Sequence, residues 1–179
     1  MEPSSFLVEN LALLPRGKAL DVAMGEGRNA IFLAKQGFSV EGVDISAESV
    51  QRALAEARKE SVIIRAVVAD LEGDYQIPRE TFDLIICFNY LQRSLAASIR
   101  AGLKSGGFLV YETYIVDQAE LFGRPRNPAF LLKHNELLEM FRGLRVVLYR
   151  EGVLEDRAVA SLVAQKEYNS SNSALAGRS

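Results

Sequence analysis

The sequence has no tryptophan, one cysteine and one histidine among its 179 residues. The lone cysteine, Cys87, excludes an internal disulfide bond. One cysteine and one histidine also supply too few soft ligands for a zinc site of the usual kind, so we predict no metal. No apolar run reaches the roughly 20 residues that a membrane-spanning helix needs, and no signal peptide is evident. We therefore expect a cytoplasmic protein that does not enter a membrane.

An excess of positive charge is missing as well. Lysine and arginine total 21 against 23 aspartates and glutamates, which gives a formal net charge of −2. Proteins that bind nucleic-acid backbones or anionic membranes without specificity normally carry a basic excess. The composition, 49% hydrophobic and 25% charged, is typical of a globular domain. We therefore expect no nucleic-acid partner, and the composition leaves the oligomeric state open.

Apolar runs of strand length alternate with amphipathic stretches of helix length. The predicted strands of this part are 18–23, 39–43, 62–69, 82–88 and 108–113, and the helices include 27–36 and 46–60. Such alternation predicts an α/β fold, a Rossmann-like doubly wound sheet with helices on both faces. Two last strands, about 144–149 and 158–165, are joined by a short loop and must be antiparallel neighbours. We expect seven strands, mostly parallel, with an antiparallel last strand.

The chain shows no internal boundary, so residues 1–167 are predicted to form a single domain. Residues 1–14 are expected to form a helix that lies over the core or the mouth of a pocket, and the irregular stretch 115–132 is a second candidate lid. The serine- and asparagine-rich residues 168–179 have little to bury and are predicted to be disordered.

Acidic residues and glycines follow the first three predicted strands. Gly25 and Gly27 come after the first strand, Asp44 after the second and Asp70 after the third. The carboxyl ends of parallel strands share one edge, so these residues should line one crevice. Glycines at a helix start let a ligand approach the backbone N–H groups closely. A carboxylate in the position of Asp44 suits a ribose diol, because it accepts from two hydroxyls.

Asp21 lies inside the first strand, where a carboxylate is costly unless it is paired. A cationic ligand group such as an α-ammonium would pair with it. The turn also fits the G-x-G-x-x-A pattern of nicotinamide dinucleotide sites, which remains an alternative. A pyrophosphate, however, gains nothing from the neighbouring anions Asp21 and Glu26, and we expect no second domain for hydride transfer. S-adenosylmethionine, which carries an ammonium, a sulfonium and an adenosine but no phosphate, suits the crevice better.

The residues Asp21-Val22-Ala23-Met24-Gly25-Glu26-Gly27 resemble the D/E-x-G-x-G-x-G loop of class I S-adenosylmethionine-dependent methyltransferases. The following Arg-Asn-Ala is similar to the tellurite-resistance-type subgroup. Blocks at 42–46, 70–71, 82–85 and 103–109 also match, so the resemblance covers about residues 15–165. It implies a Rossmann-like methyltransferase with S-adenosylmethionine as its cofactor and S-adenosylhomocysteine as the product.

The resemblance also implies the cofactor-binding residues. The first strand and its turn would hold the methionine end, the second strand end the ribose, the third the adenine, and the fourth the methyl-donor side. The residues in question are Asp21, Ala23, Gly25, Gly27, Asp44, Ile45, Asp70, Leu71, Cys87 and Phe88.

The loop departs from the family pattern at Ala23, which replaces the first glycine, and at Met24, where a small residue is common. An alanine is tolerated at this position only if its backbone is not left-handed. Weak cofactor binding would follow otherwise, so a non-catalytic S-adenosylmethionine-binding module is the main alternative function.

Candidates for the acceptor side come from the ends of the fourth and fifth strands and from the irregular segment. They are Asn89, Tyr90, Arg93, Glu112, Tyr114, Arg124, Arg126 and His134. The arginines could fix an anionic acceptor, whereas the tyrosines are better pocket walls than bases because a phenol titrates near pH 10. The chain has no large insertion, which favours a small-molecule or metalloid oxyanion acceptor. No catalytic residue is assigned.

Overall fold

A computed structural model describes residues 1–73 and 75–168 of the chain. Its strands are β1 Lys18–Val22, β2 Ser39–Asp44, β3 Arg65–Val68, β4 Phe82–Phe88, β5 Leu103–Tyr114, β6 Arg145–Val153 and β7 Ala158–Gln165. They form one seven-stranded sheet in the order β3-β2-β1-β4-β5-β7-β6. The strands β1 to β5 run parallel, and β7 is antiparallel to both of its neighbours, β5 and β6. The predicted fold class is confirmed.

Helices cover both faces of the sheet. They are α1 Ser5–Asn10, α2 Arg28–Lys35, α3 Ala47–Lys59, α4 Ala96–Gly102, α5 Asp117–Leu121 and α6 Glu136–Met140. The short helix α5 lies in the stretch 115–132, which the sequence analysis left irregular. None of the described helices is long and apolar enough to span a membrane.

The edge strand β3 is shorter than the apolar run 62–69 predicted. The N–H of Val62 donates to the carbonyl of Ala57 at 2.9 Å, so this residue caps the last turn of α3 and does not pair with β2. Ile63 is almost fully exposed. An edge strand pairs on one side only, and here the pairing with β2 begins at Arg65. Hydrophobicity alone therefore overestimated the strand.

Two hydrophobic clusters pack on opposite faces of the sheet. Successive strand side chains point to opposite faces. In β4, Leu84, Ile86 and Phe88 accordingly join α1, α2 and α3, whereas Ile85 and Cys87 join α4 and α6. Both faces of the central strands are thus buried, as their continuous apolar sequence predicted.

The amino-terminal segment is tied to the core and to α2. Phe6 and Leu7 of α1 are fully buried. The N–H of Ser4 donates to Oδ1 of Asn29 at 2.9 Å. A helix over the core was predicted here, and its role as a lid stays a prediction. Of the tail 168–179, only Tyr168 lies within the described residues.

Candidate functional site

The turn after β1 alternates left-handed residues. Ala23, Gly25 and Gly27 have φ angles of 55°, 56° and 79°. A Cβ atom on Gly25 would meet nothing within 4 Å, whereas one on Gly27 would lie 2.9 Å from Cβ of Ala53 in α3. Gly25 is therefore needed for its backbone angle and Gly27 also for space, because α2 and α3 pack closely at this point.

Ala23 is left-handed, which is the conformation that the sequence analysis regarded as unfavourable for an alanine. A non-glycine residue in this region carries a strain of about 1 kcal/mol. Met24 is accommodated by a glycine on the neighbouring strand: a Cβ atom on Gly42 would lie 2.0 Å from its sulfur. The turn thus keeps its shape despite both departures, and at Ala23 the cost is backbone strain.

Asp44, at the end of β2, is held by the turn that it faces. Its Oδ2 accepts the N–H of Gly25 at 2.8 Å, and its Oδ1 accepts the N–H of Ser46 at 2.9 Å. Each carboxylate oxygen keeps a further lone pair for a ligand hydroxyl. Ile45 beside it is largely exposed, so an apolar side chain lies open next to the fixed carboxylate.

Asp21 is only 2% exposed, and its Oδ2 has no hydrogen-bond partner within the described ranges 1–73 and 75–168. Burial raises the pKa of this carboxyl to about 8, although the N–H of Ala30 and the charge of Arg28 lower it. A buried polar atom without a partner costs free energy unless a ligand satisfies it. Asp21 therefore fits the cationic group predicted from the sequence.

Asp21, Ala23 and Gly25 line one cleft of about 260 Å³, which we call the donor cleft. Its lining is drawn from the amino terminus, the turn, the start of α2 and the end of β4. The lining residues are Met1, Asp21, Ala23, Met24, Gly25, Glu26, Arg28, Asn29, Phe88 and Asn89. Met1 and Asn29 were missed by the sequence analysis, because only the docking of α1 against α2 places them there.

The end of β3 stands beside that of β2, since the N–H of Ala69 donates to the carbonyl of Asp44 at 3.0 Å. Asp70 is exposed, and its Oδ1 accepts the N–H of Glu72 at 2.8 Å. Leu71 is buried in the core. The two residues therefore stand at the edge where the adenine is expected, and that role stays a prediction.

Cys87 and Phe88 point to opposite faces of β4. Phe88 lines the donor cleft, whereas the thiol of Cys87 is buried on the other face, 3.7 Å from the carbonyl of Tyr90. Burial raises the pKa of the thiol to about 12, so it stays protonated and is no nucleophile at neutral pH. Contact of the Cys87 backbone with a cofactor stays a prediction.

A second cleft of about 360 Å³ opens beside the donor cleft, and we call it the acceptor-side cleft. It is lined by Glu72, Asn89, Tyr90, Leu91, Tyr114, Pro125 and Phe130. Three predicted substrate residues, Asn89, Tyr90 and Tyr114, therefore come together. Asn89 lines both clefts and is itself left-handed, with a φ of 56°. The sequence analysis missed Glu72, Leu91, Pro125 and Phe130, which no local pattern marks.

The predicted arginines lie elsewhere. The guanidinium of Arg93 is paired with Glu136, with Nε 2.5 Å from Oε1, and it also donates to the carbonyls of Ala129 and Leu131. Arg126 donates through Nε to the carbonyl of Gly123 at 2.8 Å. Arg124 is exposed at the start of the same loop. None of these arginines lines either cleft, and their roles toward an acceptor stay predictions.

Glu112 and His134 also form hydrogen bonds and ion pairs with other protein side chains. Glu112 is 1% exposed and accepts the hydroxyl of Ser161 at 2.6 Å, with guanidinium nitrogens of Arg150 and Arg157 within 4 Å. His134 is exposed and pairs with Asp117 at 2.5 Å between Nε2 and Oδ2, which raises the pKa of the imidazole. In the part of the chain that the structure describes, no three His, Cys, Asp or Glu side chains are grouped to hold a metal ion.

The sheet order, the glycine-bearing turn after β1 and the carboxylate at the end of β2 together define the class I, S-adenosylmethionine-dependent methyltransferase fold. Comparison with known proteins agrees: residues 19–107 match the family described as "Methyltransferase domain". The match runs from β1 to the start of β5 and so includes the turn after β1.

Two curated relatives and one solved structure illustrate the likeness. The chain is 28% identical over 145 residues to "Hemagglutinin 1" of Eikenella corrodens, covering 76% of this chain and 46% of that protein. It is 30% identical over 116 residues to glycine/sarcosine N-methyltransferase of Aphanothece halophytica, covering 60% and 44%. TehB from Haemophilus influenzae has the same fold, with a TM-score of 0.78, 21% identity, and coverage of 92% and 62%. The chain spans less than half of the length of both curated relatives.

Proposed function

We propose that this protein transfers a methyl group from S-adenosylmethionine to a small-molecule acceptor. The observation that carries the proposal is the buried carboxyl oxygen of Asp21, which has no hydrogen-bond partner among the described residues and lines the donor cleft beside a turn that is bonded to the Asp44 carboxylate. One group suits an ammonium and the other a ribose diol. The family match supports the same donor.

Each donor-cleft residue then has a distinct task. The left-handed turn at Gly25 and Gly27 would bring backbone, without side chains, up to the methionine end of the donor. Asp21 would neutralise the donor's ammonium, and Asp44 would accept from the two ribose hydroxyls. When it is bound, S-adenosylmethionine supplies a methyl group on a sulfonium. A lone pair of the acceptor attacks the methyl carbon, and the electrons of the carbon–sulfur bond return to the sulfur.

For such a displacement the protein needs to supply position and a water-poor site. Phe88 supplies an apolar wall and Asn89 stands at the junction with the acceptor-side cleft. Tyr90 is a wall and not a base, because burial first and then the charge of Glu72 raise the pKa of its phenol to about 12. Nothing in this arrangement needs a metal.

The decisive experiment is calorimetric titration of the protein with S-adenosylmethionine and S-adenosylhomocysteine. We expect Asp44→Ala to weaken binding of both by at least tenfold, because it removes the acceptor of two hydroxyls and one anchor of the turn. Glu155→Gln, an exposed acid far along the chain, is the matched control and should leave the dissociation constants unchanged. Absence of binding to the wild-type protein would refute the proposal.

The main alternative, a non-catalytic S-adenosylmethionine-binding module, rested on Ala23. The structure keeps it open, because Ala23 adopts the left-handed conformation that was expected to be unfavourable for an alanine. Formation of S-adenosylhomocysteine during incubation with a labelled donor and a metabolite extract would exclude this alternative. A nicotinamide-dinucleotide protein is disfavoured by the anions Asp21 and Glu26 beside the turn, and tighter binding of NADH than of S-adenosylmethionine would contradict this conclusion. The cytoplasmic location stays a prediction.

A further inference from the structure

We infer that the acceptor-side cleft binds the methyl acceptor and that this acceptor is a small amine, recognised in its ammonium form by Glu72 and a surrounding set of aromatic rings. The inference rests on the proposed function, because it names the substrate class of the same site. Four observations carry it: the position, the charge, the aromatic walls and the engagement of nearby arginines.

The position of the cleft is right for an acceptor. Asn89, directly after β4, lines both clefts, so they meet at one residue. Its N–H donates to the carbonyl of Glu112 at 2.9 Å, which holds the junction against the end of β5. Its left-handed backbone is a strained feature of the kind that clusters at functional sites. A molecule in the acceptor-side cleft would therefore face the donor across Asn89.

The charge of this cleft is negative. Glu72 is the one ionised side chain among the described residues that line it, and lysine and arginine are absent from that lining. Asp44 and Asp70 stand close by at the neighbouring strand ends. After burial, the charges of Glu72, Asp70 and Asp44 are among the causes that hold the pKa of the Tyr90 phenol at about 12. A cation gains from this field, whereas an anion is repelled.

Aromatic side chains form much of the remaining wall. Tyr90, Tyr114 and Phe130 line the cleft, and Phe130 is exposed although it is a large apolar side chain. An ammonium over an aromatic face is attracted by the ring quadrupole, and aromatic cages for amines use this attraction. Aromatic rings together with one carboxylate thus form a suitable binding site for a small ammonium.

The arginines that could bind an oxyanion are hydrogen-bonded to other groups of the protein. Arg93 donates to the carboxylate of Glu136 and to the carbonyls of Ala129 and Leu131. These bonds hold the segment that carries Phe130 in place. Arg126 donates to the carbonyl of Gly123. An oxyanion in this cleft would meet Glu72 and no guanidinium from its lining. The structure therefore favours an amine over the metalloid oxyanion that the sequence analysis also allowed.

A bound ammonium has no lone pair, so it must give up one proton before its nitrogen can accept a methyl group. The carboxylate of Glu72, exposed and facing the cleft, can take this proton and pass it to solvent. The side chain would thus serve twice, first in attracting the cation and then in accepting its proton.

The test compares ligands of one shape and different charge on the full chain saturated with S-adenosylhomocysteine. Benzylamine, benzyl alcohol and benzoate form such a set, and selenite represents an oxyanion. Calorimetric titration should show the tightest binding for benzylamine, weaker binding for benzyl alcohol and none for benzoate or selenite. Equal binding of amine and alcohol, or tighter binding of either anion, would overturn the inference.

Variants locate the effect. Glu72→Gln should weaken benzylamine binding about fivefold and leave benzyl alcohol unchanged, as expected for one partly screened charge. Tyr114→Leu, which keeps an apolar wall but removes a ring, should weaken the amine about threefold. Glu155→Gln should change neither ligand. If Glu72→Gln leaves amine binding intact, the assigned recognition is wrong.

The design separates this inference from the proposed function. In every variant the dissociation constant of S-adenosylmethionine is measured as well, and it should stay at the wild-type value. Normal donor binding without preferential amine binding means that the acceptor class is wrong while the methyltransferase proposal stands. Absence of donor binding to the wild-type protein means that the proposed function itself fails.

Discussion

At the scale of single residues, Ala23 and Asp21 are the two energetically unfavourable features of the donor cleft. Both are unfavourable in isolation, one because a left-handed backbone strains an alanine and the other because a buried carboxyl oxygen lacks a partner within the described part of the chain. Strain and unmet polar groups of this kind are tolerated where a ligand gains from them. Each therefore has a measurable consequence.

Replacement of Ala23 by glycine should stabilise the protein. Relief of left-handed strain outweighs the extra chain entropy of glycine, so we expect the free energy of unfolding to rise by about 0.5–1 kcal/mol in urea denaturation. The matched control is Ala55→Gly on the exposed face of α3, which should lower it by about 1 kcal/mol. A loss of stability in Ala23→Gly would show that the turn is not strained.

Binding of S-adenosylmethionine should depend on pH through Asp21. The pKa of this carboxyl is raised to about 8 by burial, so it is mostly protonated at pH 6, and pairing with an ammonium requires its ionised form. The association constant should rise up to about tenfold per pH unit between pH 6 and 7.5 and then level off. Calorimetry in buffers of different ionisation enthalpy should detect release of a proton, which Asp21→Asn should abolish.

The same carboxyl should lower the stability of the ligand-free protein as the pH rises. Its pKa in the fold is above the ordinary value for an aspartate, so the unfolded chain releases the proton first as the pH rises. The contribution of the neutral form is complete below pH 4 and is lost by up to about 1.4 kcal/mol per pH unit until the pH passes 8. Thermal melts of ligand-free Asp21→Asn should therefore vary less with pH between 4 and 8 than those of the wild type.

At the scale of elements, a buried ionic cluster joins β5, β6, β7 and α1. Glu112 on β5 accepts from Ser161 and faces the guanidinium groups of Arg150 and Arg157. Arg150 also lies over the ring of Phe6 in α1, 4.9 Å from its centroid. The sequence analysis placed Glu112 on the acceptor side because it lies at a strand end. The structure instead engages its carboxylate in this cluster.

Glu112→Gln should destabilise the fold by about 2–3 kcal/mol. It removes the buried counter-charge of two arginines whose Nε atoms lack hydrogen-bond partners among the described residues. Glu139→Gln, which breaks an exposed ion pair with Arg142, is the control and should cost under about 0.5 kcal/mol. Urea denaturation of both variants checks the difference, and equal effects would mean that the cluster does not stabilise the packing of α1 and the last strands.

At the scale of the whole molecule, the amino-terminal segment couples the core to the donor cleft. Phe6 and Leu7 are fully buried, Ser4 is bonded to Asn29, and Met1 and Asn29 line the cleft. A ligand in the cleft should therefore hold the segment in place. The coupling can be observed in solution without any knowledge of the acceptor.

Hydrogen exchange should slow in α1 when S-adenosylmethionine binds, because opening of this segment then competes with binding. The amides of Ser5–Asn10 should gain protection, whereas those of α6, on the opposite face of the sheet, should not. Phe6→Ala should abolish the gain and lower stability by about 3–4 kcal/mol through the loss of a fully buried ring. Uniform protection throughout the molecule would argue against a local coupling.

The sequence by itself determined that the strands form a mostly parallel sheet, and it identified the residues of the turn after β1. Alternating apolar runs and helical stretches specify a doubly wound sheet, and the ends of its parallel strands necessarily share an edge. Asp21, Asp44 and the glycines could therefore be placed together from local patterns alone. What local pattern could not give was the backbone angle of Ala23, because neighbouring strands and helices impose it.

Only the tertiary structure decided the acceptor side. Glu72 comes from the loop after β3, Tyr114 from the end of β5 and Phe130 from the segment after α5, and no periodicity relates them before the chain is folded. The same holds for Arg93, which looked available in the sequence and is engaged by Glu136 in the fold. Strand ends are fixed by hydrogen bonding that sequence patterns reveal, whereas loop side chains meet through packing over long sequence separations. That difference explains why the donor could be identified from the sequence and the acceptor could be inferred only from the folded protein.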